Sequence, residues 1–314
     1  MQIKIYSPSD FPSYLPKLNG LYDELFRDGK GFRSRLIGRI GSALGLESRV
    51  IDLLGQTIEF IHNASLLHDD LVDRSALRRG KPAAWTKYTP EYAVLAGDYL
   101  LARVMVNLSA HGNIRLIQET AQAISDLLEG EWIQDSLVRD MSVRLTDLDR
   151  VHNLKTGSLF KWCLRAPFIA KHRVDDRLLG RLEECGTILG VLFQRSDDLL
   201  DFDVRNDEGK AILGDLKSGY LNSFSVWLLA EFRENDRARF ERAIKCQSLG
   251  EFKSAIGEEH FESRLRDFDQ ENQRLIDLYQ HRLQELQADL LPDEVSVTRD
   301  LKELPQLLYW RKRN

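Results

Sequence analysis

Apolar residues return every three or four positions along almost the whole chain, as in LESRVIDLLGQTIEFIHNASLLHDD and EECGTILGVLFQRSDDLLDFD. That period is the 3.6-residue turn of an amphipathic α-helix, and the alternation that marks a half-buried strand is nearly absent. Proline, which lacks the N–H that continues a helix, occurs only 8 times. Pro12, Pro16, Pro82, Pro90, Pro167, Pro292 and Pro305 are accordingly expected near helix ends. Neither a low-complexity linker nor a repeat of fixed period divides the sequence, so residues 1–314 are expected to form a single all-α domain. A chain of 314 residues with 43% hydrophobic content buries enough apolar surface to fold without a partner.

The formal net charge of -5 leaves no broad cationic excess to displace phosphate counterions, which argues against a nucleic-acid partner. Any anion must be met by local bases or by metal. Cys163, Cys185 and Cys246 are odd in number and far apart, so they suggest neither a disulfide framework nor a zinc site. A reducing cytoplasm is the expected location. The opening MQIKIYSPSDFPSYLP has no basic-then-apolar leader, and no apolar run approaches the roughly 20 residues of a membrane span, so no transmembrane segment is expected.

Two acidic clusters stand out. Asp69, Asp70 and Asp73 form D-D-x-x-D, and Asp197, Asp198 and Asp201 repeat the spacing about 130 residues later. On a helix, residues four apart share a face, so each cluster gathers like charge that repels unless a counter-charge is present. Oxygen-only donors of this kind favour a hard cation such as Mg²⁺, which keeps several waters and bridges one or two carboxylates to a phosphate. Bases lie close by in sequence: Lys30 and Arg33 in DGKGFR, Arg78 and Arg79 after the first cluster, and Lys155 at the start of KTGSLF. Arginine suits bidentate contact with phosphate oxygens, and lysine acts as a point charge.

In this order, DGKGFR, IHNASLLHDDLVDRSALRRGKP, LAGDYLL, EGEWIQ, KTGSLF and FQRSDDLLDFD resemble the successive motifs of the trans-isoprenyl diphosphate synthases, the polyprenyl synthetase family, with Asp28 in place of a first glycine. The resemblance implies a large antiparallel helical bundle around a central cavity (the isoprenoid synthase type), with the aspartate motifs across its mouth, and a homodimer. It implies head-to-tail prenyl transfer, in which isopentenyl diphosphate condenses with an allylic prenyl diphosphate. Three Mg²⁺ ions would be held by Asp69, Asp73 and Asp197, with Asp70, Asp198 and Asp201 as nearby or water-mediated partners. Lys30, Arg33, His62 and Arg79 match positions that hold isopentenyl diphosphate. Arg78, Lys155, Thr156 and Gln194 match those around the allylic diphosphate and its cation.

The match departs from the family pattern after the second motif. DLKSGYLNSF stands where G-K-x-T is expected, so Tyr220 replaces a diphosphate-binding lysine and Asn222 a threonine, and Lys217 or Lys210 is left to supply the charge. Small Ser65 and Ala64, four and five residues before Asp69, imply a product longer than farnesyl, of geranylgeranyl length or more. Phe160 and Trp162 follow Lys155 closely, and Trp162, about two turns along its face, offers an alternative floor, although an aromatic at helical spacing is more often simple core. Three other readings compete. A metal phosphohydrolase would use His62, His68 and Asp69 but leaves the second cluster unexplained. A class I terpene cyclase would not need Lys30, Arg33 and Arg79. A non-catalytic subunit of a heteromeric prenyl synthase finds support in Tyr220 alone.

Overall fold

The computed structural model describes residue 5 and residues 11–27, 31–78, 80–203 and 212–310. Among these the helices are α1 (Pro16–Arg27), α2 (Phe32–Ala43), α3 (Ser48–Val72), α4 (Ala84–Lys87), α5 (Pro90–His111), α6 (Ile114–Leu137), α7 (Leu145–His152), α8 (Ser158–Ala170) and α9 (Asp176–Asp198). They continue with α10 (Gly214–Ser218), α11 (Ser223–Asn235), α12 (Arg237–Ala243), α13 (Leu249–Ile256), α14 (Glu258–Gln287), α15 (Val297–Leu301) and α16 (Leu304–Trp310). A π turn, Asn153–Gly157, joins α7 to α8, and a 3-10 turn, Leu199–Phe202, extends α9. The strands among the described residues are β1 (Leu77–Arg78) and β2 (Lys81–Pro82), an antiparallel pair inside the loop after the first aspartate cluster. The chain is all-α, as its apolar period requires.

Local chemistry sets the helix ends. Thr89 caps α5 by accepting the N–H of Tyr92 at 3.2 Å, Pro90 begins that helix, and Gly112 ends it at φ 82. Each device satisfies or removes a backbone group that the helix itself leaves unpaired. Asn222, Asp236 and Ser248 cap α11, α12 and α13 in the same way. Pro167 departs from expectation, because it lies inside α8 rather than at its boundary. It is one turn from the end, and the N–H of Lys171 still reaches its carbonyl at 3.1 Å, so the missing N–H costs the helix a single interior bond. By length and composition α5 could also cross a bilayer, with hydropathy 1.3 over its most apolar window. Tyr22 on α1 donates to Ala96 O within it at 2.8 Å, and Ala93, Leu100, Val104 and Leu108 are buried.

The chain divides into two compact units. The first comprises Met1–Ile124, Lys161–Glu183 and Asp289–Asp300. Here α3 packs between α2 and α5, burying Leu54, Ile58 and Ile61 along with Leu36, Ile37 and Ile40 of α2. Each such side chain contributes about 1.5–3 kcal/mol. Phe11, Tyr22, Phe26 and Phe60 cluster beside them, with centroids 4.2 Å apart for Phe11 and Tyr22 and 5.3 Å for Phe26 and Phe60. Fully buried Glu294 pairs with Lys171 and Arg173, which anchors the 289–300 segment.

The second unit comprises Ser125–Phe160, Glu184–Ala288 and Leu301–Asn314. Phe224 is the centre of its core, with Phe202, Phe268 and Phe261 at 5.0, 5.3 and 5.8 Å. Asn272 of α14 donates to the Tyr309 hydroxyl oxygen at 3.1 Å, and Ser196 of α9 donates to Tyr309 O at 2.9 Å, so the last helix is tied to both α14 and α9.

Within this unit α9 lies directly on the π turn. A Cβ on Gly190 would sit 2.6 Å from the backbone nitrogen of Gly157, where nothing flexible can yield. Gly190→Ala is therefore expected to destabilise the protein by about 3 kcal/mol. Gly180, in the same helix with nothing within 4 Å of a built Cβ, should instead gain about 0.5–1 kcal/mol as alanine. Urea-unfolding midpoints of the two variants against the wild type decide the pair; equal midpoints would refute the backbone contact.

Candidate active site

Adjacent residues on an α-helix point about 100° apart, so the two leading aspartates of a D-D-x-x-D run cannot face the same way. In α3, Asp69 is half-buried, Asp70 is buried, and Asp73, which caps the helix, is exposed. Asp70 turns inward to Arg78 of β1, accepting its Nε–H at 2.9 Å and a second bond from Nη2. Arg78 thereby staples the hairpin to α3, helped by Ser75 N–H donating to Asp70 O at 2.8 Å. Beside Asp70 a cavity of about 60 Å³, bounded by Leu21, Leu25, Leu67, Arg78 and Lys87, has room for a few waters.

His68, next to Asp69, is wedged against α5. A Cβ on Gly97 would overlap its ring, and its Nε2 lies 3.3 Å from Val94 O and 3.4 Å from Asp98 Oδ1. Glu59, buried three residues before His62, accepts the N–H of Ser34 at 3.1 Å and so braces α2 against α3. Arg33 and His62, both half-buried, flank that bond in sequence. Ala64 is fully buried, and Ser65 donates to His62 O at 2.9 Å. Lys30 and Arg79 lie outside the described residues, as does Lys210.

The second unit carries the other cluster. The α-helix stops at Asp198, and Asp201 falls on the 3-10 turn. Asp197 is half-buried, whereas Asp198 and Asp201 are buried. Asp198 Oδ2 accepts Ser223 N–H at 2.9 Å and Ser223 O–H at 2.5 Å, and Oδ1 accepts Gln194 Nε2–H at 3.1 Å. Gln194 Oε1 in turn accepts Thr156 O–H at 3.1 Å. Asp201 Oδ2 accepts Asp215 N–H at 2.8 Å, which ties the start of α10 to the 3-10 turn. Asn222, where the resemblance expected a threonine, caps α11 and donates to Asp198 O at 3.2 Å and Asp215 Oδ2 at 2.9 Å.

Lys155 and Thr156 sit on the π turn, a wide turn frequent at functional sites. Lys155 forms an ion pair with Glu131 and donates to Gln134 Oε1 at 3.2 Å, both on α6. Tyr220 is half-buried, and burial together with Asp198, Asp215 and Glu131 raises its phenol far above the usual range, so it stays neutral. Lys217 is exposed and donates to Ile212 O at 2.9 Å. Trp162 is buried with its indole N–H donating to Thr120 Oγ1 at 3.0 Å, and Phe160 is buried with Phe193 at 5.7 Å.

Sequence reasoning missed His152, the Arg195–Asp149 pair and Ser223. Arg195 is buried, donates to both oxygens of Asp149 at 2.9 Å, and donates to Asn272 Oδ1 at 3.1 Å. His152 Nε2 lies 3.6 Å from Asp198 Oδ2, and its Nδ1 is buried with no hydrogen-bond partner. The place of His152, three residues before Lys155 at the end of an amphipathic helix, was the available signal. Asp69, half-buried, and Asp73, exposed, offer carboxylate oxygens one turn apart, a donor set suited to a hard divalent cation that keeps water and phosphate ligands. Among the described residues no three His, Cys, Asp or Glu side chains converge on a metal position by themselves.

A family model described as Polyprenyl synthetase matches residues 15–258. Octaprenyl diphosphate synthase of Escherichia coli strain K12 is 32% identical over 192 residues, which is 61% of this chain and 59% of that protein. The chain thus spans about three-fifths of the length of that curated relative. A decaprenyl diphosphate synthase from Rhodobacter capsulatus has a similar structure, with a TM-score of 0.83 at 26% identity, covering 98% of this chain and 94% of that one. A polyprenyl synthase from Caulobacter crescentus CB15, complexed with calcium and isoprenyl diphosphate, has a TM-score of 0.72 at 24% identity, covering 98% and 99%.

Burial holds the His152 imidazole down at about 3, the attraction of Asp149 being opposed by Arg195 and Lys155. A folded-state value below that of the unfolded chain, near 6.5, means that this contribution to stability is complete above about pH 6.5 and is lost as pH falls toward 3. Between pH 6 and 5 the unfolding free energy should fall by about 1 kcal/mol on account of this residue. Urea titrations at the two pH values should show a shallower fall in His152→Gln, and equal slopes in the two proteins would refute the assignment.

Proposed function

Because the chain belongs to the polyprenyl synthetase family, we propose that it is a prenyltransferase condensing isopentenyl diphosphate with an allylic prenyl diphosphate, head to tail. The observation that carries the reading is the matched division in two D-D-x-x-D segments. In each, the first aspartate keeps access to solvent while the second is spent inside the protein. Carboxylates gathered at this spacing repel one another, and a shared cation offsets that repulsion.

Asp69, Asp73 and Asp197 would hold Mg²⁺, with three ions when diphosphate is bound, and the C. crescentus relative's calcium and isoprenyl diphosphate support that chemistry. Bound Mg²⁺ would supply positive charge to the leaving diphosphate. Asp70, Asp198 and Asp201 keep their internal bonds and act on the cation as nearby or water-mediated partners. Lys155 and Arg78 meet the allylic diphosphate. Thr156 and Gln194, with carbonyl and hydroxyl dipoles, face the allylic cation as the C–O bond breaks. Lys30, Arg33, His62 and Arg79 hold isopentenyl diphosphate, whose double bond attacks that cation before a proton is lost to the departing diphosphate.

Residues 1–314 would act as one catalytic domain in the cytoplasm, and as a homodimer. Exposed Leu95 and Val106 of α5, eleven residues apart and on one helical face, support an apolar contact between copies. The octaprenyl and decaprenyl relatives, together with small Ser65 and Ala64, support a product of geranylgeranyl length or longer.

Incubation of the protein with Mg²⁺, labelled isopentenyl diphosphate and farnesyl diphosphate should yield chain-extended diphosphates. Absence of extension with this and with shorter allylic primers would overturn the reading in favour of a cyclase or a non-catalytic subunit. Asp69→Asn and Asp197→Asn should each lower kcat at least about a hundredfold and raise the Mg²⁺ requirement. Asp198→Asn should instead show its main effect as a lower melting temperature. Equal effects on Mg²⁺ dependence from Asp197→Asn and Asp198→Asn would refute the division of roles.

A further inference from the structure

We propose that Glu131 sets the affinity for the allylic diphosphate by acting as an internal rival anion, occupying Lys155 until a substrate diphosphate displaces it. The inference rests on the prenyltransfer reading above and concerns a residue that reading does not use.

Lys155 is aimed at Glu131 by two features of the backbone. The π turn widens the helix at Asn153–Gly157 and changes the direction in which Lys155 leaves it. Gly130 then opens the path: a Cβ there would stand 2.6 Å from Lys155 Cγ and 2.9 Å from Lys155 N. With hydrogen in that place, the lysine stem lies flat on α6, and its ammonium reaches the next residue, Glu131, and Gln134 one turn further on.

The pair is shielded from solvent, with side-chain exposures of 17% for Lys155 and 15% for Glu131. Shielding weakens screening, so the carboxylate neutralises the lysine more fully than a surface partner would. A diphosphate carries more charge and more acceptor oxygens than one carboxylate, so it can win the ammonium. It must first overcome Glu131, and that competition raises the concentration needed for occupancy. The phenol of Tyr220, electrostatically coupled to Glu131 and neutral, brings no positive charge to the anion and leaves Lys155 as the base the two acids contest.

An alternative role for Glu131 is to orient Lys155 for substrate. The two roles predict opposite signs when the carboxylate becomes an amide. A rival's removal tightens diphosphate binding, whereas an orienter's removal weakens it.

Calorimetric titration of inorganic diphosphate in the presence of Mg²⁺ should give roughly tenfold tighter binding to Glu131→Gln than to the wild type. The Michaelis constant for farnesyl diphosphate should fall by a similar factor, and that for isopentenyl diphosphate by less than twofold. In a Lys155→Met background the Glu131→Gln change should have no effect on diphosphate binding, because the contested base is gone. Glu131→Asp, whose shorter side chain withdraws the carboxylate by one methylene, should give an intermediate gain and serves if the amide variant does not fold. Unchanged or weaker diphosphate binding in Glu131→Gln and Glu131→Asp, with a wild type that extends prenyl chains, would overturn this inference alone. A wild type that neither binds inorganic diphosphate nor extends any primer would overturn the prenyltransfer reading and this inference with it.

Discussion

A carboxylate taken out of water must have its oxygens filled, and in this protein that requirement at Asp198 organises the second unit. Its side chain collects a backbone N–H and a hydroxyl from Ser223 and an amide from Gln194, while its carbonyl takes the Asn222 amide. These donors come from α9 and from the start of α11, and Gln194 passes the connection on to Thr156 in the π turn. Asp201 performs the same service for the start of α10. With its neighbour committed in this way, Asp197 is left on the face that keeps access to solvent.

The first unit solves the same problem with one strong partner rather than several weak ones. Asp70 takes two bonds from Arg78, and the staple fixes the hairpin against α3. Charge-assisted bonds of this kind are about twice as strong as neutral ones, so a single guanidinium replaces a network. The cost of the arrangement is specificity: lysine at position 78 could not reproduce the forked contact. The two units thus reach equivalent division between an outward and an inward aspartate by unrelated chemistry.

Much of this was legible in the sequence, for reasons that differ from residue to residue. The all-α class follows from the apolar period alone, and the Asp69–Asp73 spacing on one helix end follows from helical geometry. The inward turn of Asp70 and Asp198 was also implicit, since neighbours on a helix cannot share a face, but the partners that take them up, Arg78 and Ser223, are set by tertiary packing. Pro167 inside α8 was not legible, because its tolerance depends on how soon the helix ends after it. Nor were Ser223, Arg195 and Asn272, whose partners are fixed by tertiary packing across 25, 46 and 77 residues of sequence. The π turn escaped as well: KTGSLF reads as ordinary helix, and only the contact between Gly190 and Gly157 explains why the wider turn fits there.

That turn has a consequence for how such a site can change over generations. A π turn differs from an α turn by about one residue of slack, so a single-codon insertion or deletion can create or erase it while α7 and α8 keep their seats. What moves is the direction in which Lys155 and Thr156 leave the backbone. Descendants of this chain can therefore re-aim a base and a hydroxyl by a change of length, with the scaffold around them undisturbed.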